Sequence, residues 1–268
     1  IIHRLLDALV TCSKFSSKIL LPATIPLVVN YSLVSAPPHR FWLKAKRSVL
    51  EFHSQRKITM PKRFIVVVDN FYPNPDALRQ RALSMPYTEP ENLTGWRTQA
   101  YQPRGIKERI EKLFKVRIKY WEADLTKIEG CNGVFFSAYS KGNYAEQVGI
   151  HYDTPPGWVM FLIYMTPDAP FEAGTSLWQH RATRLTAMPT ERDAERLKMP
   201  LEKLFKILER DLHDKRRWKE IDRIGNVFNR AVMFPGGQLH SASRHFGSNR
   251  LNGRLYQSFH FPIEWNPK

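Results

Sequence analysis

The feature that most constrains the fold is a series of short apolar segments in the second half of the chain, separated by turns rich in Gly and Pro. Runs of this length with many β-branched and aromatic residues are typical of β-strands rather than helices. The predicted strands are residues 134–139, 148–153, 159–165, 175–180 and 226–234, a segment through His240, and residues 254–261. Because helical patterns precede this series, the sequence predicts a mainly β protein in which helices flank two packed sheets of the jelly-roll kind.

Helical patterns lie before and within the strand series. Asn74-Pro75 is typical of a helix start, with Asn as the N-cap and Pro at the first helical position. Ile106–Val116 places Ile106, Ile110, Leu113 and Phe114 on one stripe, which predicts an amphipathic helix. A largely helical insertion, at about residues 187–222, interrupts the strands, and its interleaved acids and bases indicate a solvated face.

Residues 1–59 differ from the rest of the chain. They mix short apolar runs with several prolines and are basic and poor in acids. This composition faintly resembles a transit or signal segment, but an extension without a fold of its own ahead of Met60 explains it equally well. We therefore expect a single domain at residues 60–268.

The composition limits the partners. The chain carries 41 Lys and Arg against 25 Asp and Glu, a net charge of +16. Residues 1–59 hold nine basic and two acidic residues (+7) and the rest hold 32 and 23 (+9), so the basic charge is not concentrated in one patch. Basic clusters neutralise nucleic-acid phosphates, but the sequence shows no nucleic-acid motif, and we rank such a partner last.

Cysteine content and hydropathy indicate the compartment. Cys12 and Cys131 are too few for a disulfide framework, which favours a reducing, cytoplasmic location. No run of 18 apolar residues occurs, so we predict no membrane span.

The chemistry-bearing residues form one ordered set. In a strand, side chains two apart point to the same face, so His151 and Asp153 would face one space. A second imidazole, from His240, would complete a set of two histidines and one carboxylate, which holds one face of an iron(II) ion and leaves the other open. Arg254 lies further along and could meet the carboxylate of an organic acid.

A His-x-Asp motif alone is a weak signal, but the surroundings of these residues support the set. Gly174 begins a strand where close packing needs a small residue, and His240 follows a Pro235-Gly236-Gly237 turn. The last strand would place Arg254, Tyr256, Ser258 and His260 on a polar face lining a cavity. Its other face, with Leu255, Gln257, Phe259 and Phe261, would pack against helices.

These residues resemble a known superfamily. His151-x-Asp153, His240 and Arg254 look like the iron(II)- and 2-oxoglutarate-dependent dioxygenases, and Tyr139-Ser140-Lys141-Gly142 resembles an entry motif of their prolyl-hydroxylase-like branch. From about Val67 to Phe261 the chain resembles an uncharacterised bacterial family within that superfamily. The similar blocks are residues 69–72, 151–153, 162–167, 174–176, 229–234, 240–242 and 246–247.

The resemblance implies a fold, a metal site and an activity. It implies a double-stranded β-helix core of the jelly-roll or cupin-like kind, with iron(II) held by His151, Asp153 and His240. It implies 2-oxoglutarate as cosubstrate paired with Arg254, dioxygen as oxidant, and hydroxylation of an unidentified substrate with release of succinate and carbon dioxide. Many members have Arg-x-Ser where this chain has Arg254-Leu255-Tyr256, so Tyr256 would supply the hydroxyl; Tyr139 is a further cosubstrate-binding candidate.

Other histidines have ordinary explanations. His180, on a strand beside Trp178, is expected to be a packed core or rim histidine, and the same caution applies to His260. His245 and Arg244 could either orient the third ligand or cap a turn.

Two hypotheses lead. The first is a non-heme iron oxygenase acting on a small-molecule or peptidyl substrate. The second is a non-catalytic jelly-roll binding module that keeps the metal-site residues. Arg254 distinguishes them, because a simple metal binder needs no partner for a cosubstrate carboxylate.

Overall fold

The computed structural model describes residues 63–88, 96–123, 125, 132–141, 149–154 and 156–265. The expected extension at residues 1–59, Gly142 of the entry motif and Val148 of the second predicted strand lie outside these residues. The helices and strands are β1 (Val66–Val68), α1 (Pro75–Ser84), β2 (Trp96–Arg97), α2 (Ile106–Phe114), β3 (Val116–Ile118), β4 (Val134–Ala138), β5 (Trp158–Tyr164), β6 (Thr175–His180), α3 (Glu191–Leu197), α4 (Leu201–Asp211), a 3-10 turn (Lys215–Arg217), β7 (Trp218–Ile224), β8 (Ala231–Pro235), β9 (His240–Ala242) and β10 (Arg254–Trp265).

The strands form two antiparallel sheets. The larger has the order β1-β8-β5-β10-β4-β2, with β3 also paired to β10, and the smaller has the order β7-β6-β9. These two sheets form the core of a double-stranded β-helix with flanking helices, as the sequence predicted. Among the described residues, no helix is long and apolar enough to cross a membrane.

Two apolar layers surround the larger sheet. Its outer face carries Leu255, Phe259 and Phe261, which pack with Ile110 and Phe114 of α2. Its inner face carries a second apolar cluster that also includes residues of the smaller sheet: Met160, Leu162, Tyr164, Leu177, Ile224, Val232 and Phe234, with Tyr256 packed against them. The predicted division of β10 into a helix-facing side and an opposite side that faces the smaller sheet is confirmed.

Several local predictions hold. Asn74 caps α1, its side chain accepting the Ala77 N–H at 3.1 Å, and Pro75 is the first helical residue. Gly174 has no room for a side chain, since a Cβ there would overlap the carbonyl of Ile224. Ile106, Ile110 and Phe114 are buried on one face of α2, but Leu113 is 37% exposed because the helix turns it to solvent.

Two strand predictions are wrong. Residues 149–153 form no strand and have only a single bridge, from His151 to His240, because among the described residues no continuous strand lies alongside them for pairing. The strand expected over 226–234 begins only at Ala231, after a turn in which Asn229 has a positive φ of 62°. In addition, β7 begins at Trp218, inside the stretch expected to be largely helical. It is a strand because it pairs with β6, and local sequence could not reveal this pairing since β6 is distant in the chain.

Candidate metal centre

The segment that carries His151 and Asp153 is fixed by main-chain hydrogen bonds to the start of β9 and to the turn before it. His151 N–H donates to the His240 carbonyl at 2.9 Å, and His240 N–H donates back at 2.8 Å. Asp153 N–H donates to the Gly236 carbonyl at 3.0 Å. The two predicted ligand regions, far apart in sequence, are therefore joined by direct backbone pairing.

The three side chains meet in one place. His151 Nε2 lies 3.5 Å from Asp153 Oδ1, and His240 Nε2 lies 3.1 Å from Asp153 Oδ2. One ligand atom from each residue lies within 4.8 Å of the others. His240 is buried, whereas the His151 side chain is 51% exposed, so the cluster is open on the His151 side.

The backbone sets the tautomer of both imidazoles. His151 Nδ1 lies 2.9 Å from the Gly149 carbonyl, and His240 Nδ1 lies 2.8 Å from the Gln238 carbonyl. Because a carbonyl only accepts, each Nδ1 carries the proton, and in the neutral ring Nε2 keeps a lone pair. Both lone pairs then face the carboxylate of Asp153. A cation placed among these atoms would be bound by both imidazoles and by the carboxylate.

The carboxylate of Asp153 also has an oxygen without a donor. While both Nε2 atoms are unprotonated, its buried Oδ2 accepts no hydrogen bond from the part of the chain that the structure describes. Burial alone would raise the pKa of Asp153, but the neighbouring His240 and His151 outweigh it and lower the pKa below its ordinary value. Burial alone would lower the pKa of His240, and the carboxylate outweighs this and raises the pKa. A cation bound between Asp153 and His240 would interact favourably with both. Two imidazoles and one carboxylate are a donor set that fits a divalent metal ion such as iron(II).

Arg254 lies on the inner face at the start of β10 and is only 3% exposed. Its Nη1 donates to the carbonyls of Ala173 and Gly174 at 2.7 and 2.9 Å, and its Nη2 donates to Thr175 Oγ1 at 3.3 Å. The guanidinium also lies over the ring of Tyr164, 5.2 Å from its centroid. Nη1 is thus fully used by the scaffold. Among the described residues, the edge formed by Nε and the second N–H of Nη2 is the part of the planar fork that could bind a carboxylate.

Tyr256 and Tyr139 differ in placement. The Tyr256 ring faces the interior, stacked on Phe136 with centroids 5.1 Å apart, and Arg254 lies 5.1 Å from its centroid. Ala138 pairs with Arg254, so residues alternating from it place Tyr139 towards the other face, where its ring abuts Gly253. The structure brings Tyr256 beside Arg254, while the proposed roles of both tyrosines stay predictions.

Two further residues share the interior with this set. Arg97 of β2 pairs with Phe136, and its guanidinium lies 4.7 Å from the centroid of that ring, so Arg97 and Arg254 bracket the Phe136–Tyr256 stack. No local signal marked Arg97, which lies in a two-residue strand within a loop-like composition. His260 lies on the predicted cavity face, and its Nε2 is within hydrogen-bonding distance of Ser258 Oγ at 3.0 Å. Burial lowers the pKa of His260, and the opposing effect of Asp153 is smaller.

The remaining histidines follow expectation in part. His180 is fully buried and bonded to Asp211, so the prediction of a packed core histidine is confirmed. His245 is half-buried near Arg254, and burial lowers its pKa to about 4.

A comparison with family models gives one match. The model described as a family of unknown function (DUF6445) matches residues 52–259, most of the chain. No curated protein matches.

Among solved structures, similar chains include HygX from Streptomyces hygroscopicus with nickel and 2-oxoglutarate bound. It has 10% identity and a TM-score of 0.42, covering 74% of this chain and 82% of that one. HygX with nickel, 2-oxoglutarate and hygromycin B bound gives 9% identity and a TM-score of 0.41 over the same shares. At this identity and TM-score, the similarity assigns no activity to this chain.

Proposed function

This chain belongs to the DUF6445 family of unknown function, and we propose that it is an iron(II)- and 2-oxoglutarate-dependent oxygenase that hydroxylates a small-molecule or peptidyl substrate. The observation that carries the proposal is the convergence of His151 Nε2, His240 Nε2 and the Asp153 carboxylate. Hydrogen bonds at the two Nδ1 atoms leave the Nε2 lone pairs of both imidazoles close to the Asp153 carboxylate. Two imidazoles and one carboxylate are the donor set that suits iron(II) and leaves positions open.

Arg254 supports the cosubstrate assignment. A buried guanidinium with its Nη1 held by two carbonyls is preorganised, so little rotamer freedom is lost when it binds a carboxylate. Its Nε edge can bind the distal carboxylate of 2-oxoglutarate through parallel hydrogen bonds, with Tyr256 lining the same wall. Tyr139 points away from this side of the strand, so for it we propose only an indirect part in the cosubstrate site, packing against Gly253 immediately before Arg254.

The protein's own residues would orient the reaction. His151, Asp153 and His240 would hold the metal on one side, and the exposed side of His151 would leave access for substrate. The apolar inner wall, with Met160, Leu162 and Phe234 among its residues, would exclude water from the cosubstrate. When bound, iron and 2-oxoglutarate supply the oxidising chemistry, with succinate and carbon dioxide as coproducts.

The test is an anaerobic titration of iron(II) and then 2-oxoglutarate into the purified protein, following the visible charge-transfer absorption of the chelate. We expect the band in the wild type and in Asp76→Ala, which removes an exposed carboxylate on α1, outside the cluster. His240→Ala should abolish it.

The other outcomes separate the hypotheses. Metal binding with no response to 2-oxoglutarate would favour the non-catalytic jelly-roll module. A folded wild type that binds no iron(II), or a His240→Ala variant that keeps the band, would remove the oxygenase proposal.

A further inference from the structure

Residues 149–153 (the ligand segment) carry two of the three proposed metal-binding side chains. This segment contacts the end of α4 as well as the smaller sheet. Among the described residues, its β-type pairing is the single bridge between His151 and His240. On another edge, the Ile150 N–H donates to the carbonyl of Leu212 at 2.9 Å, immediately after α4. The last carbonyls of a helix have no partner within the helix, and here one of them is satisfied by the ligand segment.

Side chains of the ligand segment alternate between the metal centre and this helix. His151 and Asp153 face the centre, whereas Ile150 is buried in a cluster with Leu208 of α4 and Trp218. The Tyr152 ring lies 6.4 Å from that of Phe205.

The contact is close at the start of the segment. A Cβ on Gly149 would lie 2.9 Å from Leu212 Cδ1 and 3.0 Å from His213 Cε1. A shift of the end of α4 would therefore move the backbone that presents His151 and Asp153.

Asp211, the last residue of α4, fixes that end to the smaller sheet. The Thr183 N–H donates to His180 Nδ1 at 3.3 Å, so the proton of the neutral ring is on Nε2, which donates to Asp211 Oδ2 at 3.0 Å. The Trp218 indole N–H donates to the Asp211 carbonyl at 2.8 Å. One residue thus ties the helix end to β6 through its side chain and to β7 through its main chain.

We propose that Asp211 is a positioning residue for the metal centre: by anchoring the end of α4 to His180 and Trp218, it sets the place of the ligand segment and hence the metal affinity. This inference rests on the proposed metal site and adds that the helical insertion determines its geometry. Metal–ligand distances in formed sites stay within about 0.2 Å of fixed values, so a movement of α4 that displaces the ligand segment should weaken binding.

The test compares two Asp→Asn substitutions in the insertion. Asp211→Asn removes the charge at the anchor. Asp193→Asn is the matched control, because Asp193 also has a hydrogen-bonded carboxylate at a helix end, capping α3 through Thr190. Phe205→Leu, at a partly exposed position, loosens the contact with Tyr152 and remains available if Asp211→Asn does not fold.

The probe is cobalt(II) alone, followed by its visible d–d absorption at 25 °C, beside far-UV circular dichroism and the urea midpoint. We expect Asp211→Asn to bind cobalt(II) about tenfold more weakly, at the lower end of the cost of losing groups that orient metal ligands. Its d–d spectrum should change, whereas Asp193→Asn should bind within twofold of wild type despite a lower midpoint. Phe205→Leu should weaken binding without unfolding the protein.

A merely structural role of Asp211 would lower the urea midpoint and leave the cobalt affinity and spectrum of the folded variant unchanged, and that result would overturn the inference. Equal weakening by Asp193→Asn would overturn it as well. If instead wild type binds no cobalt(II), or binds it as well after His240→Ala, it is the proposed metal site that fails.

Discussion

Replacement of Arg254 by Gln is the perturbation that most directly tests the cosubstrate site. It removes a buried cation whose Nη1 donates to the carbonyls of Ala173 and Gly174. Each carbonyl keeps a second donor, Asn226 Nδ2 at 3.2 Å for Ala173 and the Ser243 N–H at 3.0 Å for Gly174. Neither is left unsatisfied, so the cost to the free energy of unfolding is near the lower end of the range for bonds from a charged group, about 1.5 kcal/mol per lost hydrogen bond. A domain stable by about 5–15 kcal/mol remains folded.

Cosubstrate binding is expected to weaken as well. Two charge-assisted hydrogen bonds from the Nε edge to a carboxylate are worth about 3 kcal/mol together. Because 1.4 kcal/mol corresponds to a tenfold change, we expect the Kd for 2-oxoglutarate to rise about a hundredfold. Arg254→Lys keeps the charge but not the planar fork, so we expect a loss of about tenfold.

The assay is the anaerobic titration of 2-oxoglutarate into iron(II)-loaded protein, with iron(II) affinity as the internal control. The positive charge of Arg254 opposes protonation of His240 and similarly opposes a cation at the centre. Iron(II) affinity should therefore stay unchanged or increase slightly in Arg254→Gln. Unweakened 2-oxoglutarate binding in the folded variant, or equal loss of iron(II) and 2-oxoglutarate, would refute the assignment of Arg254.

Three further predictions follow from the contacts described above. Asp153→Asn should weaken cobalt(II) binding by about a hundredfold or more, since a direct ligand matters more than the groups that orient it; a titration showing near-wild-type affinity would contradict its role. Gly174→Ala should lower the free energy of unfolding by about 3 kcal/mol, because the new methyl group overlaps the Ile224 carbonyl. Gly237→Ala, whose Cβ would lie at an ordinary 3.4 Å from the Thr154 carbonyl, is the control, and equal urea midpoints for the two variants would count against this steric reasoning. The hydrogen bond from Arg210, opposed by burial and aided by His180, lowers the pKa of Asp211 to about 2 from 3.8. Its charged form therefore stabilises the fold above pH 3.8 and this contribution is lost as the pH falls towards 2, so the stability difference between wild type and Asp211→Asn should shrink over that range; a constant difference in urea melts would argue against it.

Local sequence signals were sufficient where the determining interactions are local or periodic. The cap at Asn74-Pro75 and the two faces of β10 depend on the identity of neighbouring residues and on the two-residue period of a strand. The strand Thr175–His180 was predicted with the bounds that the structure has, since its apolar residues are flanked by a Gly and a turn.

Long-range pairing was not predictable in the same way. The strand β7 has the charged composition of a solvated segment, and it is a strand because β6 offers it an edge. Arg97 could not be singled out, because its place beside the Phe136–Tyr256 stack depends on the pairing of β2 with β4.

The sequence by itself determined which residue types this protein brings to its candidate centre: two imidazoles, a carboxylate and an arginine, in an order that resembles a known superfamily. Only the tertiary structure decided how they meet. His151 and Asp153 share a face although no strand runs through them, because β9 holds one edge of their segment and the end of α4 holds another. The physical reason is that residue identity sets donor chemistry locally, whereas the position of a donor atom depends on hydrogen bonds and packing between segments that are distant in the chain.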